Sequence, residues 1–209
     1  MVNQFFTMKK FFSFFLFGLC TLSMSGESIE QRLLSLNDGR ISYIADFEER
    51  IIMPRMNKQT IKRGKMYYAY TESLLMSYSD PAGDYSLIRD GSFVAMRKGK
   101  RNTFSMSSKK GQMYELRETL LGSLSGDLQR VALVNGASIS CEEKGDSYVC
   151  TLVKTDKPSS GVYRLEAEYE RTTGLLTVLR MIQVNGNYTE YVTSKRQTNV
   201  SISDDIWKP

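Results

Sequence analysis

The chain has 209 residues, with 28 Lys and Arg against 23 Asp and Glu, and it contains no histidine. Without histidine the usual general base and the commonest metal ligand are both missing, which excludes most hydrolase and metalloenzyme mechanisms. Neither a G-x-S-x-G nor a G-x-x-x-x-G-K-[ST] motif is present, so the chain reads as a non-enzyme with no catalytic residues, no cofactor and no metal.

At the start, Lys9 and Lys10 precede an apolar run from Phe11 to Leu22, followed by Ser23 and Ser25. This is the pattern of a secretory signal peptide, cut after Ser25 or Gly26. The run is shorter than the roughly 20 apolar residues a spanning helix requires. The expected division is a leader over 1–25 and a single domain over 26–209. A lipid anchor on Cys20 is the rival reading, against which Leu19 stands where a small residue is usual. Loss of the leader takes Lys9 and Lys10 from the 28 basic residues and no acidic one, leaving 26 against 23. So weak a charge says little about partners, and export disfavours nucleic acid.

Ser28 with Gln31 three residues later forms a capping box that starts a short helix through Leu36, stopped by Asn37-Asp38-Gly39. Ile41 to Met53 reads as a long strand ending at Pro54. Between Gly64 and Gly91 the sequence GKMYYAYTESLLMSYSDPAGDYSLIRDG joins strand candidates by short reversals at Glu72-Ser73, Asp80 to Gly83 and Asp90-Gly91. Met66, Tyr68 and Tyr70 share one parity there, as do Leu74, Met76 and Tyr78. Strands are also predicted over Phe93 to Arg97 and Asn102 to Met106. The basic stretch Arg97 to Arg101, with Lys109 and Lys110, could meet anionic headgroups or form a solvated turn.

From Gly111 to Asp127 the pattern changes. Met113, Leu116, Leu120, Leu121, Leu124 and Leu128 recur every three or four residues, giving an amphipathic helix or a pair broken at Gly122 or Gly126.

Cys141 and Cys150 flank a hairpin candidate. A two-residue turn at Gly145-Asp146 sets Lys144 opposite Ser147 and Cys141 opposite Cys150, a non-hydrogen-bonded pair with Cα atoms about 4.5 Å apart. An oxidising compartment makes this a disulfide contributing at most about 3 kcal/mol, with two reduced thiols as the alternative. Val162 to Arg171 alternates, with Leu165, Ala167 and Tyr169 on one face and Arg164, Glu166 and Glu168 on the other. Thr172 to Gly174 and Asn185-Gly186 turn the chain into two further strands. The adjacent carboxylates Glu48-Glu49, Glu142-Glu143 and Asp204-Asp205 point to opposite faces of a strand and make poor catalytic pairs.

The sum is a large antiparallel sheet of about ten strands, which tends to curl. Left unclosed, it forms an α+β incomplete β-barrel with an apolar concavity. The leucine-rich segment is then either a helical lid or an ordinary plug. Eight methionines after the leader, among them Met66, Met76, Met106 and Met181, suit either a tolerant acyl site or plain core filling.

The Gly64 to Gly91 block, with Tyr78, Pro81, Asp90 and Gly91 in place, resembles the LolA family of outer-membrane lipoprotein carriers. Asp46-Phe47-Glu48, the N-terminal helix and the late hairpins continue the likeness. The resemblance implies a monomeric periplasmic carrier of lipoprotein acyl chains that receives cargo from an inner-membrane ABC-type lipoprotein releasing complex and yields it to an outer-membrane acceptor. It also implies an acyl-chain site on the wall strands at Phe47, Met66, Tyr68, Leu74, Met76, Tyr78 and Leu87 and on the lid at Leu116, Leu120 and Leu124. Met76 stands where the family commonly has Trp, and Leu75 where it has the Arg before it, so the polar latch between sheet and lid is expected to be missing. Asp at Met76 or Leu120 is expected to abolish cargo binding and leave the fold intact. The other reading is an envelope sensor or structural module using the same fold to bind a protein.

Overall fold

The computed structural model describes residues 27–70, 72–106 and 110–209; the segment expected to be a leader, with Cys20, and Lys109 lie outside them. Helix α1 (Ile29–Asn37) begins with the reciprocal Ser28–Gln31 capping box, which satisfies two donors the first turn leaves free. Strand β1 (Ser42–Met53) stops at Pro54, which opens a 3-10 turn over Pro54–Met56. The chain then meanders through β2 (Lys58–Ala69), β3 (Ser73–Asp80), β4 (Ala82–Arg89), β5 (Ser92–Arg97) and β6 (Lys100–Ser105). Helices α2 (Gln112–Ser125) and α3 (Leu128–Asn135) follow. Five more strands complete the chain: β7 (Ala137–Lys144), β8 (Ser147–Lys154), β9 (Val162–Glu170), β10 (Leu176–Gln183) and β11 (Tyr188–Thr198).

All eleven strands lie in one antiparallel sheet of order β6-β5-β4-β3-β2-β1-β11-β10-β9-β8-β7. The first and last strands pair at its centre, while β6 and β7 are the edges and do not pair with each other. This is the expected unclosed barrel. Because α2 and α3 connect β6 to β7, the helical segment is tethered at both edges and spans the concavity.

Gly126 and not Gly122 divides the helices. Gly126 adopts the left-handed conformation (φ 74°) that ends α2, as glycine does at helix C-termini. Gly122 stays helical and lets α3 approach, since a Cβ there would lie 2.5 Å from Cγ2 of Val131. The second helix also continues to Asn135, beyond the stretch its leucines mark out. The Cys141–Cys150 disulfide is present in the predicted register, with Cα atoms 4.1 Å apart.

The two faces of the sheet are stabilised differently. On the convex face an alternating ladder of charges crosses five strands: Arg63 and Arg50 flank Glu48, Arg50 and Arg180 share Glu190, and Arg180 and Arg164 share Glu166. Opposite charges facing one another across strands stabilise such a surface. Farther along this face the C-terminal segment folds back, and its 3-10 turn (Asp204–Trp207) sets Trp207 against Leu75, Tyr85 and Val94. The concave face is apolar and carries the main core.

Candidate functional site

Strand register builds the wall. Met66 lies opposite Met76 and Tyr68 opposite Leu74, so these side chains stand side by side on the concave face. Phe47 joins them from β1, its ring edge-on to Tyr78 with centroids 5.2 Å apart. Leu87 does not belong to this surface. It pairs with Leu75 and packs on the convex face beside the Trp207 cluster. The reason is parity: β4 presents Ile88 and Ser86 inward, and its odd-numbered residues point out.

The helices lie directly on the wall. Leu120, Leu121, Leu124, Leu128 and Val131 are buried in the same cluster as Phe47, Met66, Tyr68, Leu74, Met76 and Tyr78. The Tyr169 hydroxyl donates to the Ser123 carbonyl at 3.0 Å, and Asn135 Nδ2 donates to Thr119 Oγ1 at 3.0 Å, joining α3 to α2. Most of the predicted wall is therefore covered by the protein's own side chains. Met76 is 2 % exposed, and an unpartnered carboxylate buried there would unfold the protein before it tested any ligand.

A cleft with a partly apolar lining stays open at the other half of the sheet. It measures about 400 Å³, within the range of small-molecule sites, and lies between α2 and strands β9 and β10. Met113, Leu116, Val162, Leu165 and Met181 form the apolar part of its lining, and Gln112, Thr119, Asn135, Ser160 and Gln183 the polar part. At its rim Lys154 Nζ meets Glu115 Oε2 at 2.9 Å. Of the predicted site residues, Leu116 alone lines this cleft. Leu165 was legible as the apolar parity of an alternating strand, but nothing local links β9 and β10 to the Gly64 to Gly91 block.

The lid is latched after all, with the charges exchanged. Glu72, in the β2–β3 turn, pairs with Arg117 of α2 and with Arg130 of α3, the latter at 2.8 Å; both guanidiniums also hold the buried carboxylate of Glu118. The sheet supplies the acid and the helices supply the arginines, so the polar latch expected to be missing at Leu75 is supplied from the β2–β3 turn instead. Partial burial raises the Glu72 pKa, but Arg117 and Arg130 outweigh it and hold the carboxyl below its ordinary value.

At one rim of the concave face, Tyr191 donates its hydroxyl to Glu49 Oε1 at 3.1 Å, and Lys62 Nζ lies 3.3 Å from Glu49 Oε2. Burial, and then the charge of Glu49, push the Tyr191 phenol well above its usual pKa. On β1, burial raises the Tyr43 phenol to about 12. These tyrosines are neutral hydrogen-bonding groups at any physiological pH and are not proton shuttles. Among the described residues no group of three His, Cys, Asp or Glu side chains could hold a metal, and no helix is long and apolar enough to cross a membrane.

No protein-family model matches the chain, and no curated protein matches its sequence. Solved structures do match. An uncharacterized conserved protein from Thermus thermophilus superposes with a TM-score of 0.53 at 8% identity, over 86% of this chain and 92% of that one. MucB superposes with a TM-score of 0.51 at 13% identity, over 86% of this chain and 61% of MucB. A LolA superfamily protein from Nitrosomonas europaea matches at 11% identity, over 85% and 96% of the two chains, with a TM-score of 0.42. The chain shares its fold, an unclosed antiparallel sheet with helices across the concavity, with the Thermus protein and with MucB. At such identities the likeness is one of fold alone.

Proposed function

We propose that the protein is a non-catalytic periplasmic carrier that shelters lipoprotein acyl chains on the concave face of the sheet on their way to the outer membrane. The observation that carries this reading is the open cleft beside Leu116, whose Leu165 and Met181 belong to the same buried cluster as the wall of Met and Tyr side chains now covered by a latched helical pair. In this scheme the cleft accepts the first part of a chain. Lifting of α2 and α3 then exposes Met66, Met76 and Tyr78 to the rest. Phe47, Tyr68, Leu74, Leu120 and Leu124 complete the acyl surface, and Leu87 takes no part. The exchange is driven by burial of methylenes at about 0.8 kcal/mol each, offset by loss of the contacts that now fill the wall. An inner-membrane ABC-type releasing complex as donor and an outer-membrane acceptor follow from the resemblance to the lipoprotein carriers. The second reading, a module that binds a protein partner, is favoured by the extent to which the wall is filled.

Titration of residues 26–209 with fluorescent fatty acids and acylated peptides separates the two. These residues contain every described element and the whole core. Affinity is expected to rise about fourfold per added methylene until the cavity is filled. Leu116→Asp, at the half-buried cleft wall, is expected to weaken binding at least tenfold with an unchanged circular dichroism spectrum. No acyl binding by the wild type or by the unlatched Glu72→Gln variant would eliminate the carrier in favour of the protein-binding module.

A further inference from the structure

The basic residues are distributed unevenly between the two ends of the half-barrel. One end gathers the β1–β2, β3–β4, β5–β6 and β8–β9 connections. The first brings exposed Arg55 and Lys58, the third exposed Lys98, Lys100 and Arg101, and the last exposed Lys157. The acids in these connections are few: Asp80 and Asp156 are exposed, while Asp84 is buried and accepts the Lys98 backbone N–H at 2.7 Å; farther in, Glu49 and Glu115 are taken up by Lys62 and Lys154. At the opposite end base and acid share the turns, as in Asp38 with Arg40, Arg89 with Asp90 and Lys144 with Asp146.

Two features make the basic end a shaped surface. First, its cations converge. Lys62 of β2 and Arg97 of β5 lie over the same Tyr78 ring, 5.4 Å and 4.8 Å from its centroid, so the β1–β2 hairpin and the β5–β6 turn meet around that side chain. Second, the β1–β2 hairpin projects. The β2–β3 ladder ends at Arg63 with Asp80, so Lys58 to Lys62 pair with β1 alone. At the tip Met56 is 68 % exposed between Arg55 and Lys58, and Ile61 is exposed behind it. A protruding apolar side chain flanked by cations matches the boundary between anionic headgroups and acyl chains.

We infer that this end docks on anionic phospholipid bilayers, with Met56 entering the headgroup layer and the two basic turns meeting the lipid phosphates. Docking here brings the end bearing Lys154, Gly161 and Gln183, which border the acyl cleft, toward the membrane.

Co-sedimentation of residues 26–209 with cargo-free vesicles tests this. Vesicles of phosphatidylcholine containing about a third phosphatidylglycerol are compared with pure phosphatidylcholine, at low and high salt. Binding is expected only to the anionic vesicles and is expected to be lost in high salt. Each basic side chain near such a surface accounts for about a fivefold change. Arg55→Glu with Lys58→Glu, or Lys100→Glu with Arg101→Glu, is therefore expected to lower partitioning at least tenfold. Met56→Ser should lower it severalfold, and Lys144→Glu with Arg171→Glu at the far end should leave it near wild type. Equal binding to both vesicles, equal loss in the far-end variant, or retention of an acidic protein in place of vesicles would each overturn the proposal. Leu116→Asp keeps vesicle docking, so failure of docking and failure of the acyl site are read separately.

Discussion

Gly64 shows how much one residue decides at the wall. A Cβ there would stand 2.0 Å from the Ser77 carbonyl oxygen and 2.8 Å from the Tyr78 Cα. Both obstacles are backbone and cannot rotate away. The β2–β3 register shifts between Arg63 and Gly64, and glycine lets the two strands close up just where Tyr78 turns inward. Gly64→Ala is expected to cost about 2–4 kcal/mol, read as a lower urea midpoint at unchanged m-value. A loss within about 0.5 kcal/mol would mean that the strands can part there freely. The wall residues on β2 and β3 were legible from parity, because alternation is local to each strand, whereas Phe47 on β1 came from the resemblance alone. Leu87 was misplaced because its run, Tyr85 to Ile88, is apolar on both parities, and only the pairing of Leu75 with Leu87 shows which face is which.

The latch belongs to the scale of elements. Glu72 faces Arg117 and Arg130, and the same arginines hold Glu118; no other described carboxylate is ion-paired with them. A carboxyl whose pKa is lowered in the folded state stabilises it fully above the unfolded value, near 4.5, and progressively less as pH falls through the folded value. Amide exchange in α2, corrected for intrinsic rates, is therefore expected to be steady from neutral pH to about 4.5 and to accelerate below it. In Glu72→Gln it should be faster already at neutral pH, with a smaller acid step. An acid step of the same size in that variant would assign the transition to other carboxylates. Sequence reading missed this device because its parts lie in a turn and two helices that only the fold brings together, and because the charges sit on the opposite partners from those the resemblance suggested.

At the scale of the molecule, the convex face depends on the C-terminal segment. Trp207 is 8 % exposed, packed on Leu75, Tyr85 and Val94, with the Arg89 guanidinium 5.8 Å from its ring centroid. Nothing in the short stretch after β11 marks it as a cover, since its apolar residues lack strand or helix period. Trp207→Ala is expected to cost about 3 kcal/mol, measurable by urea unfolding, and to expose the apolar patch to hydrophobic dyes.

By itself the sequence determined the local geometry: the capped first helix, the strands and their reversals, the paired cysteines, and the inward parity of Met66, Met76 and Tyr78. These follow from spacing, turn chemistry and side-chain alternation within about ten residues, which act before any long-range contact exists. Tertiary structure alone decided that β1 and β11 meet at the centre of the sheet, that the helices fill most of the concavity and leave a cleft beside β9 and β10, and that Glu72 finds its arginines. Each of those depends on surfaces far apart in the chain fitting together, and no local pattern carries that information.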